Sequence, residues 1–172
     1  GSDARNMLGR TPGNVVAMKP LREGIISDHE MTVRMLSAMF KTAIKSGIFA
    51  SKPRVVISVP SGVTEVEERS VINAAIEAGA RRVFLIEEPL AAALGAGLDI
   101  KNAKGHMVVD IGGGTTDIAV LSMNGVAVSS SLKVAGDAFD EAITRYVRRQ
   151  HGLVIGQVTA ETIKMELGQV YP

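Results

Sequence analysis

Two short runs, Arg54 to Val59 (RVVISV) and Arg82 to Ile86 (RVFLI), are almost continuously apolar. That pattern suits strands covered on both faces rather than half-exposed ones. Pro60-Ser61-Gly62 breaks the first run, and Thr64-x-x-Glu67 then forms a capping box, in which both side chains accept from backbone N–H groups that a helix start leaves unpaired. The helix it opens is expected to turn Ile72, Ala75 and Ile76 inward and to stop at Gly79. Strand, helix and strand at this spacing make a parallel βαβ unit with a right-handed crossover, so the fold class is α/β. Pro89 stands where a first helical turn tolerates it, ahead of a helix over Leu90 to Ala96.

The flanking segments read less sharply. Gly1-Ser2 carries no fold signal and reads as a cloning remnant, and Pro12-Gly13 marks a turn. Val15 to Met18 and Gly24 to Ile26 are β-prone and predict two strands joined through Lys19 to Glu23. Ser27-x-x-Glu30 reads as another capping box. It opens a helix whose Met35, Leu36, Met39, Phe40, Ala43 and Ile44 fall on one buried stripe, with Gly47 as its stop. After Lys101 to Gly105 the pattern changes: Met107 to Ile111 is apolar, three glycines interrupt, and Thr116 to Met123 resumes. Asn124-Gly125 then supplies two positions for positive φ, and Val126 to Val134 alternates with period two, so a three-stranded antiparallel meander is expected. Asp137 reads as the cap of a helix with Phe139, Ile143, Tyr146 and Val147 inward, and a last helix runs from about Thr159 to Leu167. A boundary near Asn102 to Gly105 separates a βαβ half, 3–101, from the start of a second α/β half, 105–172.

Several function classes are excluded. Lysine plus arginine number 19 against 18 acids, so the chain lacks the basic excess that holds phosphate backbones, and nucleic acid is not an expected partner. No cysteine is present, which removes disulfides and thiolate chemistry. No apolar run approaches the ~20 residues of a membrane-spanning helix, and the start of the chain lacks signal-peptide regions, so a cytoplasmic globular protein is expected. There is no GxxxxGK[ST] phosphate loop. Gly95-Ala96-Gly97 opens a dinucleotide-like motif that fails at Ile100. His29, His106 and His151 lack ligand spacing, and Ser58 and Ser61 lack a nucleophile-elbow context.

The chemistry concentrates in VVDIGGGTTD, Val108 to Asp117. Gly112, Gly113 and Gly114 leave backbone N–H groups clear of side chains, so they can converge on an anion, and Thr115 and Thr116 add hydroxyl donors. Asp110 ends the preceding strand beside the same turn; an acid there suits a hydrated divalent cation, because two anions need a metal between them. The same glycines also suit a tight hairpin that binds nothing. Glu87-Glu88-Pro89 lies at the end of a buried strand, where adjacent side chains point to opposite faces and only one acid can face a cleft. Such a carboxylate could orient or deprotonate a water; it could equally be a solvated strand end. Glu161 and Lys164, three apart on a helix, read as a surface ion pair.

Four motifs in order, MLGRTPGNVVA, LIEEPLAAALGAG, VVDIGGGTTD and YVRRQHG with ETIKMELGQVYP, resemble the MreB family of bacterial actin homologues. The resemblance implies part of an actin-like (ribonuclease H-like) fold, with a portion of the first half and the start of the second. It implies ATP and Mg²⁺ as cofactors, with Gly112 to Thr116 as the second phosphate loop, Asp110 holding Mg²⁺ through water, and Glu88 positioning the hydrolytic water. Gly136, Glu161 and Lys164 would lie near the ribose and adenine. It further implies ATP-favoured self-association into filaments at the inner membrane face, with cell-shape membrane proteins as partners, and a peripheral location on that face. Ile48 and Phe49 resemble an apolar loop that assists membrane contact, although ordinary core packing would also account for them. The family's opening phosphate loop of the DxGT type is missing, so an internal fragment is expected, and half a clamp should turn over nucleotide negligibly. An ATPase-domain fragment of the heat-shock chaperone family shares a DxGGGT loop and is the rival within the superfamily; Glu87-Glu88 and MLGRTP favour the first reading. A non-catalytic interaction module is the rival from outside it.

Overall fold

The computed structural model describes residues 15–44 and 51–170, together with the single positions Ala4, Met7 and Gly13. The chain divides into two units, one of residues 20–133 and one of residues 1–19 with 134–172. The 102–105 stretch lies inside the first of these, in the loop leading to the meander.

The first unit begins with a hairpin, β1 (Leu21–Arg22) and β2 (Ile25–Ile26), paired antiparallel through Leu21↔Ile26 and Arg22↔Ile25. The expected strand over Val15 to Met18 is not formed. Glu23 and Gly24 take φ of 50° and 75°, and a two-residue turn with both φ positive closes the pair over Leu21 to Ile26 instead. Helix α1 (His29–Ala43) follows, capped by Asp28, whose carboxylate accepts from the Met31 N–H at 2.9 Å. The cap is therefore Asp28 and not Ser27: the Ser27 hydroxyl donates to the Pro20 carbonyl, and Asp28, one residue later, takes the cap position. The predicted buried stripe is diluted, because Met39 and Ala43 are exposed while Thr32 is buried. The helix ends at Ile44, and Gly47 lies outside the described residues.

The βαβ unit forms with the expected topology, but Ile76, expected inward, is 46% exposed, and the buried positions of its helix are Ala74 and Ala75. Strands β3 (Arg54–Val59) and β4 (Arg82–Glu87) pair in parallel from Arg54↔Arg82 to Val59↔Glu87, with α2 (Glu65–Glu77) between them. The Thr64 capping box is complete: Thr64 accepts from the Glu67 N–H, and Glu67 accepts from the Thr64 N–H at 2.7 Å. Both faces of this small sheet are not covered, however. A single crossover helix shields one face, burying Ala74 and Ala75, and leaves Val56 67% exposed.

Helix α3 (Glu88–Gly95) starts directly at the end of β4, with Pro89 in its first turn. It packs on the meander formed by β5 (His106–Ile111), β6 (Thr116–Ser122) and β7 (Gly125–Leu132), paired in that order. The core of the unit is Ala93, Ile100, Ala119 and Leu121, with Leu90, Leu98, Val108 and Val126 packed around it. Alternation sends Met107, Val109 and Ile111 to the opposite, exposed face of β5. The β6–β7 turn falls one residue earlier than the Asn124-Gly125 signal implies. Met123 and Asn124 carry the positive φ values, and Gly125 pairs with Ser122 as the first residue of β7.

The second unit contains α4 (Gly136–His151) and α5 (Gln157–Leu167), packed together. Asp137 does not cap α4. Ala135 is the cap residue, without a side-chain bond, and Asp137 in the first turn binds Lys19 Nζ at 2.9 Å. Phe139 and Tyr146 are exposed rather than inward, and the buried position of the helix is Asp140.

Replacing Thr64 by alanine removes one arm of the capping box and is expected to lower stability by about 1 kcal/mol. The bonds from Thr64 hold the Glu67 carboxyl below the usual range, so this contribution is present at neutral pH and fades as pH falls through the lowered value. Urea unfolding of wild type and T64A at neutral and acid pH checks both statements; a penalty that grows with acidity would contradict the assignment.

Candidate functional site

At the head of the β5–β6 hairpin, Asp110 and Asp117 stand directly opposite each other in the register. Cross-strand partners share a face, and like charges so placed repel. The face is the one that α3 covers lower down, where Val108 sits opposite Ala119. Glu88, the first residue of α3, joins them. Burial first, then the charges of Asp117 and Asp110, raise its carboxyl above the usual range. Three acids from two strands and a helix terminus thus crowd one end of the meander.

Asp117 is the most enclosed of the three, at 1% exposure. Its Oδ1 accepts from the Ser61 N–H at 2.9 Å. Its Oδ2 is buried and has no hydrogen-bond partner among the described residues. The Ser61 hydroxyl in turn donates to Glu87 Oε2 at 2.9 Å. Of the adjacent acids, Glu87 is thus tied to the turn after β3, and Glu88 is the one beside the aspartates. Glu87 ends β4 and Glu88 begins α3, so the change from strand to helix, rather than strand alternation, separates the two acids.

The glycine turn corrects the sequence reading in one respect. The Gly112 N–H donates to the Thr115 carbonyl at 2.9 Å and extends the hairpin, so it is not free for an anion. The turn proper is Gly113-Gly114. A Cβ on Gly114 would meet the Glu23 backbone, 2.9 Å from its Cα and 3.0 Å from its N. A Cβ on Gly24 would meet the Pro60 ring at 2.5 Å and the Thr115 methyl at 3.6 Å. At Gly114, then, glycine is required by the close approach of the β1–β2 turn, whatever else it serves. Thr115 is buried beside it, and Thr116 is half-buried as the first residue of β6.

Among the described residues, no set of three His, Cys, Asp or Glu side chains is close enough to hold a metal directly. The donors present fit a hydrated divalent cation better: two carboxylates opposed across a hairpin, one with a bare buried oxygen, beside a glycine turn.

In the other unit Lys164 does not lie on the surface with Glu161. Its Nζ donates to the Gly136 carbonyl at 3.1 Å and stands 2.8 Å from Asp140 Oδ1. The Asp140 contact is between charges rather than along an aligned hydrogen bond. The Lys164 side chain is 27% exposed and that of Asp140 6%. A buried acid on α4 draws the lysine inward because an unpaired charge there would be costly. Ile48 and Phe49 lie outside the described residues. Sequence reasoning missed Asp140 and Ser61 and left Asp117 without a role. Only Asp117 had a signal: a hairpin turning at Gly113-Gly114 must place it opposite Asp110.

A protein-family profile described as MreB/Mbl protein matches residues 1–172. The chain is 54% identical over 172 residues to the cell shape-determining protein MreB of Escherichia coli strain K12, covering all of this chain and 50% of that protein. It spans about half the length of the curated relatives it matches. Crystal structures of MreB5 of Spiroplasma citri bound to ADP and to AMPPNP superpose with a TM-score of 0.91, at 40% and 41% identity, over all of this chain and 51% of theirs. The filament of MamK solved by cryo-electron microscopy matches with a TM-score of 0.74 at 25% identity, over 96% of this chain and 50% of that one.

Two substitutions test this geometry. Gly114→Ala is expected to cost about 1–3 kcal/mol through overpacking against Glu23; wild-type stability in urea would show that the approach is not tight. Glu88→Gln is expected to raise the urea midpoint at neutral pH. The gain should vanish as pH falls through the ordinary carboxylate range, because a raised folded-state value stabilises only while the proton is bound. A pH-independent difference would refute the crowding.

Proposed function

The chain belongs to the MreB/Mbl protein family and carries part of an actin-like α/β fold, and on that premise we propose that it is the phosphate-binding portion of a cytoskeletal ATPase. The observation that carries the reading is the acidic cluster at the glycine turn. Asp110, Asp117 and Glu88 are crowded together, and a buried Asp117 oxygen lacks a partner, an arrangement that a bound cation relieves. The MreB5 structures solved with ADP and AMPPNP support nucleotide as the ligand class.

In this reading Asp110 holds Mg²⁺ through water, and Asp117 supplies the second carboxylate. Mg²⁺ neutralises charge on the phosphates when it is bound. Gly113 and Gly114 offer amides, Gly112 closes the hairpin that presents them, and Thr115 and Thr116 complete the loop. Glu88 orients the attacking water, and its raised value makes it a stronger base once ionised. Gly136, Glu161 and Lys164 serve the ribose and adenine. The division into 3–101 and 105–172 as portions of two actin-like halves belongs to the same proposal.

The full-length protein would polymerise into filaments that govern rod cell shape, on the inner face of the membrane and with cell-shape membrane proteins as partners. The filament of the related MamK supports self-association. Among the described residues, no helix is long and apolar enough to cross a membrane. In this proposal Ile48 and Phe49, the pair that the family resemblance points to, assist peripheral contact. Whole-length family membership disfavours the heat-shock chaperone alternative.

In the full-length protein, Asp110→Ala is expected to weaken Mg²⁺-ATP binding, whereas Glu88→Ala spares binding and slows hydrolysis. Calorimetric titration together with phosphate-release kinetics separates the two. Equal loss of binding in both variants would overturn the roles, and absence of binding in the wild type would overturn the function.

A further inference from the structure

Ser61 is 5% exposed in the turn after β3, is neither acidic nor a ligand candidate, and makes two bonds to acids on different elements. Its N–H donates to Asp117 Oδ1 on β6 at 2.9 Å, and its hydroxyl donates to Glu87 Oε2 at the end of β4 at 2.9 Å. Gly62, at φ +84°, provides the left-handed turn directly after it, a conformation that L side chains rarely adopt. Glu87 is the cap residue of α3 but makes no side-chain cap bond there; the bond it makes is the one to Ser61. Pro89 fixes the first turn of the helix, so anchoring Glu87 also limits where Glu88 can go.

We propose that Ser61 is a positioning residue of the nucleotide site, holding Asp117 by its amide and Glu87 by its hydroxyl so that Glu88 stays beside the Asp110–Asp117 pair. The inference rests on the nucleotide reading above and deepens it. With Oδ1 of Asp117 taken by the Ser61 amide, the rotation of that carboxylate is set, and Oδ2 is the oxygen left for a ligand. With Glu87 taken by the hydroxyl, the Glu87 carboxylate is kept from swinging toward the acids that already crowd Glu88. One buried serine therefore ties together the ends of β3, β4 and β6.

The test uses the full-length protein as wild type, Ser61→Ala and Ser61→Thr. The alanine variant keeps the amide and loses the hydroxyl; the threonine variant keeps both. Affinity is read with a fluorescent ATP analogue in excess Mg²⁺, and turnover as phosphate release at saturating ATP. S61A is expected to hold affinity within about twofold and to lower kcat about tenfold, the scale of one hydrogen bond to a charged group, with S61T restoring turnover. Wild-type kcat in S61A, or a defect that threonine does not repair, overturns the inference. A purely structural role would reduce the folded fraction and leave kcat per folded molecule unchanged, which also overturns it. A double-mutant cycle of S61A with Glu87→Ala in urea unfolding reads the pair without nucleotide. Coupling between the two sites supports the bond, and strict additivity refutes it. A wild type that binds no nucleotide would remove the functional reading and this inference with it; normal wild-type binding with an unaffected S61A removes this inference alone.

Discussion

The opposition of Asp110 and Asp117 across the β5–β6 hairpin is the constraint around which the 20–133 unit is arranged. Two carboxylates facing each other on a sheet, with a third at the adjoining helix start, repel. A fold that keeps them must satisfy some of their oxygens. The structure does so with Ser61. The bare oxygen of Asp117 and the raised carboxyl of Glu88 mark what is left unrelieved, which the proposed cation would relieve. Stability is conceded at such clusters, and functional sites are where proteins concede it.

The rest of the unit holds that cluster in place. Helix α3 begins at the last residue pair of the parallel β3–β4 ladder and packs its Leu90 and Ala93 on Ala119 and Leu121. Glu88 is consequently fixed by one backbone turn from the sheet on one side and by core packing on the other. From the opposite direction the β1–β2 turn presses on the glycine loop, with Glu23 against Gly114 and Gly24 against Pro60. Glu23 is further tied at 3.0 Å to Lys133, just past the end of β7 where Leu132 pairs with Thr116. The loop that is proposed to receive phosphate is thereby braced by a hairpin lying some ninety positions earlier in the chain. A rigid loop orders less on binding, which favours affinity.

Glycine at this loop answers two demands at once. An anion-binding turn wants unobstructed amides, and the close approach of another backbone wants no Cβ. The Gly112 amide is used inside the hairpin, and Gly114 is packed on Glu23. The triple repeat thus reflects packing, whatever ligand contact it also serves. A glycine count by itself does not separate the two.

Much was legible from the residues alone because local physics fixed it. The capping box at Thr64, the parallel βαβ unit, the Pro89 start and the three-stranded meander follow from spacing, since strand and helix periods and terminal hydrogen-bond needs act within a few residues. The placement of Asp110 beside the glycine turn, at the end of its strand, was legible for the same reason. Two errors lie where neighbouring options differ by little: Asp28 caps in place of Ser27, and Met123-Asn124 turns in place of Asn124-Gly125. Others are errors of burial, as at Val56, Phe139 and Tyr146, which local pattern does not decide. Tertiary structure alone decided that Ser61 grips two acids, that Lys164 turns in to the buried Asp140, and that Gly114 faces Glu23. Those contacts join residues from roughly two dozen to some ninety positions apart, and no periodicity links positions so distant; only the packing of whole elements brings them within reach of one another.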